Sequence, residues 1–340
     1  MQGTVDRYSR QTALPVIGKE GQKRLQESSV LVAGCGALGT VAATQLVRAG
    51  VGHVRIVDRD FIEYHNLQRQ VIFDEDDVRN QVPKAKAAEQ HLRKVNSSVH
   101  VEGIVEDINY TNIQRLVHGV DLIIDGLDNL ETRYLLNDAS LKYGVPWIYG
   151  AAIATHGMTL NVVPGETACL RCIFPLLPEP GSTLTCDTAG VISAAPTIVA
   201  SLQFVEAVKF LIGARDQLSR ALTILDVWDG STYRLEVERS GSCPACGGKY
   251  EFLEARTGTR TTSLCGQNSV QVLNPSTGRV SFEELGRRLE AMGQVSYNSF
   301  MLRFTVEGHE MVVFPDGRAI VKGTSDQVLA KALYAKYIGS

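Results

Sequence analysis

The stretch VLVAGCGALG, Val30 to Gly39, followed nineteen residues later by Asp58 at the head of DRDFIEYHNLQRQ (Asp58 to Gln70), sets how the remaining sequence is read. Val30 to Ala33 is a short continuous apolar run, the signature of a strand buried on both faces. Gly34, Gly36 and Gly39 then form a tight turn into Val41 to Ala49, which continues at helical spacing. Glycine lets the backbone approach phosphate oxygens, and the open amides at a helix start favour anions. Val54 to Val57 reads as a second strand ending at Asp58, where an acidic side chain accepts hydrogen bonds from ribose hydroxyls.

Those features suit an NAD site as well as an ATP site, and the glycine pattern alone is weak. The segment after Asp58 favours ATP chemistry. Attack on the α-phosphate requires a polyphosphate of about four negative charges to be neutralised and its departure steadied. Asn66, Arg69 and Gln70 lie just past the ribose aspartate, and Lys84 opens the next helix in VPKAKAAEQHLRKV. No GK[ST] P-loop is present, so the lysine and arginine must come from elsewhere in the chain.

The run RYSRQ (Arg7 to Gln11), GCGALG, DRDFIEYHNLQRQ, PKAK (Pro83 to Lys86) and DGLDNLETR (Asp125 to Arg133) resembles the ThiF/MoeB family, bacterial relatives of the ubiquitin-activating enzymes, over roughly residues 5 to 250. The resemblance implies adenylation, in a homodimer, of the C-terminal glycine carboxylate of a ubiquitin-like sulfur carrier such as ThiS or MoaD. A sulfur donor such as a cysteine desulfurase would complete the pathway. By the same resemblance Asp128 is a magnesium ligand, Arg69 and Lys84 contact the phosphates, Asn66 the nucleotide and Asp58 the ribose. Arg10 matches an arginine inserted from the partner subunit. A hard cation held by one carboxylate plus substrate phosphates is chemically apt at Asp128. Taken alone, Asp128 and Asn129 would be read as caps of the helix Leu130 to Tyr143. In the full motif Asp128 is read as catalytic, and Asn129 as nucleotide-binding with capping as an additional role. Arg133 in isolation reads as a surface residue, Lys86 as a solvated helix charge, and Arg7 ranks below Arg10.

Cys169 and Cys172 make CLRC, and Cys243 and Cys246 make CPAC, two knuckles 71 residues apart. Ligand count and spacing match a structural tetrahedral zinc site joining two distant segments. No thioredoxin-like context supports a redox pair, and the polar N-terminus gives no signal for secretion and disulfides. Cys35 and Cys265 read as buried free thiols. Cys186 follows a segment, Leu176 to Thr185, rich in proline, glycine and threonine, and precedes the apolar helix Ala195 to Ile212. A thiol at such a loop end, near a helix start, would gain thiolate character. By resemblance this loop crosses the carrier's tail, which makes Cys186 the candidate nucleophile.

The 340 residues are 44% hydrophobic and 21% charged with net charge −3, enough for one large α/β core and a small domain. Near-neutrality argues against nucleic acid as the main partner. Gln203, Glu206 and Lys209 interrupt the longest apolar stretch, so no membrane span is expected and a cytoplasmic location is. Strands near 30–33, 54–57, 100–104, 122–125 and 147–150 alternate with helices. This pattern predicts a Rossmann-like, mostly parallel sheet, with an antiparallel extension from Met158 to Val163, Leu222 to Asp226 and Tyr233 to Val237 on which the carrier would dock. A boundary near Glu254 to Ser263 separates an adenylating domain, 1–254, from a small α+β domain, 255–340. The latter carries a helix Phe282 to Met292, strands, a turn at Pro315 to Gly317 and a final helix Asp326 to Tyr337; its role is open. Cys265 lies too early for a rhodanese loop. Two rival functions remain at this stage: an NAD-dependent oxidoreductase, and a zinc-stabilised scaffold that has lost catalysis. Thiamin and molybdopterin pathways share all the motifs.

Overall fold

The computed structural model describes residues 7–178, 186–254, 261–264, 268–272 and 280–338. The chain divides into two compact units, Met1–Arg256 and Thr257–Ser340. In the first, eight strands form one sheet: β1 (Ser29–Ala33), β2 (His53–Val57), β3 (His100–Ile104), β4 (Leu122–Asp125), β5 (Trp147–Ile153), β6 (His156–Val162), β7 (Ala221–Asp226) and β8 (Ser231–Glu236). Their order is β3-β2-β1-β4-β5-β6-β7-β8, parallel through β5 and antiparallel from β6 onward.

Alternation along β1 divides the core in two. Val30 and Val32 pack with Val54, Ile56, Leu122 and Ile124 on one face, beneath the helices Ala37–Ala49, Lys84–Val95 and Ala194–Ile212. Leu31 and Ala33 pack with Ile123, Trp147 and Tyr149 on the other, beneath Ile113–Val117 and Leu130–Tyr143. Both faces being covered explains why the strand sequences are continuously apolar. The strand order steps away from β1 in both directions, so β1 and β4 flank the crevice at their carboxyl ends where open α/β sheets bind ligands.

Helix Ala194–Ile212 corrects one expectation. By length and composition it is apolar enough to cross a membrane. Its polar residues do not interrupt it but are used inside the protein. The Gln203 amide donates to the Asp125 and Ile148 carbonyl oxygens, both at 2.9 Å, and Glu206 accepts from Asn161, Ser219 and Lys209. The helix packs on Ala37–Ala49 and on β5 and β6, as a core helix of this sheet.

The second unit is a six-stranded antiparallel sheet of β9 (Thr261–Leu264), β10 (Ser269–Val272), β11 (Gln294–Tyr297), β12 (Leu302–Val306), β13 (His309–Val313) and β14 (Ala319–Lys322), in the order β11-β12-β13-β14-β10-β9. Helices Phe282–Leu289 and Gln327–Tyr337 pack Leu285, Leu289, Leu333 and Tyr337 against Val270, Phe304, Met311 and Val321. Two features depart from the sequence reading. The first helix stops at Leu289 rather than Met292, because Gly293 brings the chain against β12, where an added Cβ would lie 2.3 Å from the Thr305 carbonyl oxygen. Strands β9 and β10 had no counterpart in the pattern.

Candidate functional site

At the end of β1 the chain turns at Gly34, whose φ of +91° lies in the left-handed region that favours glycine. A Cβ at Gly34 would stand 2.6 Å from the Gly126 carbonyl oxygen, and one at Gly39 only 2.0 Å from that of Gly34. These two glycines let the helix start close against the β1 and β4 ends. Gly36 differs. It precedes Ala37–Ala49 with no side-chain cap, and a Cβ there would meet nothing nearer than 3.8 Å. The open space and uncapped first-turn amides suit a phosphate.

Asp58 follows β2 directly. Its Oδ2 accepts the Cys35 N–H at 2.6 Å and its Oδ1 the Asp60 N–H at 2.7 Å, which fixes the carboxylate beside the glycine turn and leaves further lone pairs for hydroxyl donors. Burial raises its pKa, with Lys84 acting in the opposite direction. Cys35 is fully buried, as expected from the sequence, and burial pushes its thiol well up.

Lys84 begins the Lys84–Val95 helix and is buried. Asp60 holds it twice: the Asp60 carbonyl oxygen accepts the Lys84 N–H at 2.9 Å, and the Asp60 carboxylate pairs with Nζ at 3.2 Å. Asp128 is exposed in the connection from β4 to Leu130–Tyr143. Its charge bears on three buried cations. Burial works against the charge on each, but carboxylates outweigh it and keep each pKa raised: Asp107, Asp60 and Asp128 at Arg59; Asp60, Asp58 and Asp128 at Lys84; Asp125 and Asp128 at Arg133. Glycine turn, Asp58, Lys84 and Asp128 thus meet at the carboxyl ends of β1, β2 and β4.

The remaining motif residues are held locally. Asn66 is buried, and its Oδ1 accepts the Glu63 N–H at 3.1 Å across the turn Tyr64–Asn66. Arg69 Nη1 donates to the His65 carbonyl oxygen at 2.7 Å. Asn129 caps the Leu130–Tyr143 helix through the Thr132 N–H at 2.9 Å. Arg133, which in isolation reads as a surface residue, is instead buried. It donates to Asp125 Oδ2 at 3.0 Å and to the Leu127 and Gly150 carbonyl oxygens, shaping the loop that carries Asp128.

Arg10 is not brought to this group. It is exposed on Ser9–Thr12, a segment tied by Gln11 to the Ala49 carbonyl oxygen and by Tyr8 to Asn96. Those anchors lie at the far ends of the two helices whose starts carry the glycine turn and Lys84. A helix of 13 residues is about 20 Å long, so Arg10 stands roughly that far from its own chain's site. Cys186 opens the short helix Cys186–Ala189; its side chain, most of the preceding loop and Cys265 lie outside the described residues.

The four knuckle cysteines converge. Sγ atoms of Cys169, Cys172, Cys243 and Cys246 lie 3.6 to 3.7 Å apart in four pairs. Sulfurs placed tetrahedrally about 2.3 Å from a zinc ion would be separated by about 3.8 Å, so the cluster fits that ion. Burial, then the other three sulfurs, push the Cys169 thiol up, the repulsion a divalent cation would remove.

Three further residues lie at this crevice: Gln70, which the sequence reading named without a role, and Asp60 and Arg59, which it did not single out. Gln70 is buried beside Gly36 with Oε1 lacking a partner among the described residues. Arg59 and Asp60 directly follow Asp58, and only the folded contacts reveal what they hold.

Residues 8–245 match the model of the ThiF family. Sulfur carrier protein ThiS adenylyltransferase of Bacillus subtilis (strain 168) is 43% identical over 337 residues, 98% of this chain and 99% of that protein. Sulfur carrier protein adenylyltransferase of Thermus thermophilus is 40% identical over 248 residues, 72% of this chain and 91% of that one. Among solved structures, E. coli MccB with ATP superposes with a TM-score of 0.63 at 25% identity, covering 72% of this chain and 75% of MccB.

Proposed function

Since this chain belongs to the ThiF family, we propose that it adenylates the C-terminal glycine carboxylate of a ubiquitin-like sulfur carrier ending in Gly-Gly, in the cytoplasm, for thiamin or molybdopterin sulfur transfer. The observation that carries the reading is the meeting of the open turn at Gly36, the fixed carboxylate of Asp58, the buried Lys84 and the exposed Asp128 at one end of the sheet.

Two anions must be held together for this reaction. Amides at the glycine turn and the cations Arg69 and Lys84 draw the triphosphate in, while Asp58 and Asn66 hold the nucleoside. A carboxylate oxygen of the carrier then attacks the α-phosphorus. The bond from that phosphorus to the bridging oxygen breaks, and pyrophosphate leaves with its charge stabilised by Lys84 and Arg69. The product is a mixed anhydride of the carrier with AMP. A magnesium ion bound by Asp128 and the phosphates would supply additional neutralisation of the leaving group. Zinc at Cys169, Cys172, Cys243 and Cys246 would be structural. Arg10, about 20 Å from its own site, serves the site of the second copy in a homodimer. Cys186 takes the acyl group from the adenylate, displacing AMP, before sulfur arrives from a donor such as a cysteine desulfurase. The adenylating domain is residues 1–254, and 255–340 is an accessory domain.

The test is carrier-dependent exchange of labelled pyrophosphate into ATP. Exchange that needs magnesium and a diglycine-ended carrier, and that is lost in Asp128→Ala, is the expected result. Absence of exchange with every such carrier overturns the reading.

A further inference from the structure

Beside the ribose aspartate the fold gathers three charged side chains that lie outside the motif residues assigned above. Arg59 is largely buried, and its Nη1 donates to Asp107 Oδ1 at 2.6 Å. Asp107 belongs to the connection leaving β3, which runs next to Asp58: the Asp58 N–H donates to the Ile104 carbonyl oxygen at 3.1 Å. Glu131 comes from a third segment, the first turn of Leu130–Tyr143. It is half-buried and has no hydrogen-bond or ion-pair partner among the described residues. Its helix packs on Ile113–Val117, the helix that the connection carrying Asp107 leads into, and burial and then Asp107 raise the Glu131 pKa, with Arg59 opposing.

The position of this trio relative to a nucleotide follows from the bonding of the nucleoside. Phosphates at the end of β1 and ribose hydroxyls at Asp58, at the end of β2, orient the sugar so that C1′ points away from β1. Bound that way, the base would lie over the residue after Asp58 and against the exit of β3. Arginine held by a carboxylate offers a fixed cationic plane for a purine face. An unpaired carboxylate accepts an N–H donor and repels an oxo group at the same place.

We propose that Arg59, Asp107 and Glu131 form the nucleobase corner of the ATP site, with Arg59, held by Asp107, against the purine face and Glu131 accepting a hydrogen bond from the 6-amino group. This rests on the adenylation reading and makes the chain selective for a 6-aminopurine over a 6-oxopurine.

Pyrophosphate exchange with ATP and with ITP, which carries an oxo group in place of the 6-amino group, tests it in wild type, Arg59→Leu and Glu131→Gln. Arg59→Leu is expected to raise the KM for ATP about tenfold with kcat within about twofold, as loss of one cation–π contact would. Because that change removes the ion pair of Asp107 with Arg59, the double variant Arg59→Leu/Asp107→Asn accompanies it and should show the same rise in KM. Glu131→Gln, whose amide can donate to an oxo group, should narrow the ATP-over-ITP preference in kcat/KM about tenfold. Wild-type KM in both Arg59 variants, or an unchanged ATP-over-ITP ratio in Glu131→Gln, overturns the proposal. Wild-type protein that exchanges nothing would instead sink the adenylation reading itself, so the two failures are distinct.

Discussion

At Gly39 an added methyl group would collide with the Gly34 carbonyl oxygen at 2.0 Å, whereas at Gly36 the nearest atom, the Gly126 carbonyl oxygen, is 3.8 Å away. The same residue type therefore serves different ends three positions apart: one lets backbones approach, the other keeps room for a ligand. Gly39→Ala is expected to destabilise the protein by about 1–3 kcal/mol through overpacking, seen as a lower Tm. Gly36→Ala should keep its Tm while raising the KM for ATP about tenfold, about 1.4 kcal/mol of binding. Matching thermal and kinetic effects at both positions would show that the two roles are not separate.

Among the elements, Leu130–Tyr143 connects the crevice with both cysteine knuckles. Its first turn is capped by Asn129 and clamped by Arg133, next to Asp128. Farther along, Asn137 accepts the Leu170 N–H at 2.8 Å inside the first knuckle, and Asp138 accepts the Phe252 N–H at 3.0 Å beyond the second. Tyr134 donates through its hydroxyl to the carbonyl oxygens of Phe174 and Leu176, both at 2.8 Å. A chelator strong enough to strip the cluster should therefore lower Tm and the exchange rate together, and re-addition of zinc should restore both. Metal analysis finding no zinc in protein of full stability would refute this. Asp138 adds a pH dependence. Burial pushes its pKa up to about 6, above the ordinary value of 3.8. The stability it contributes is thus complete below about 4 and lost as pH rises through about 6. The Tm of wild type minus that of Asp138→Asn should fall between pH 4.5 and 7; a constant difference would exclude the effect.

For the whole molecule, the proposed function has Arg10 complete the site of a second copy, which would make assembly a condition of activity. In a homodimer each site joins Asp128 of one copy to Arg10 of the other. Arg10→Ala and Asp128→Ala should each abolish exchange. Equal amounts of the two, unfolded and refolded together, should recover about a quarter of wild-type activity, since half the dimers are mixed and each mixed dimer holds one intact site. No recovery, with mixed dimers demonstrated by size and tag, would mean that Arg10 acts within its own chain or not at all. The second unit, with a core of its own, is matched by the Bacillus relative, whereas the Thermus relative aligns over a length close to that of the first unit alone.

Much of this arrangement is local chemistry and can be read along the chain. An apolar run followed by closely spaced glycines specifies strand, turn and helix; Asn129 announces a helix start; two C-x-x-C pairs announce four thiolates for one ion. In each case the signal lies within a few residues, because hydrogen bonds along the backbone and side-chain periodicity act over that range. What depended on folding was every contact between distant segments. Arg133 looks like a surface charge until Asp125 and the Gly150 carbonyl oxygen surround it, and that Lys84 is buried and held by Asp60 is seen only in the folded chain. Glu131 comes under the charges of Asp107 and Arg59 only in the folded chain. Burial and long-range charge are properties of the packed chain, and a linear pattern of residue types does not contain them.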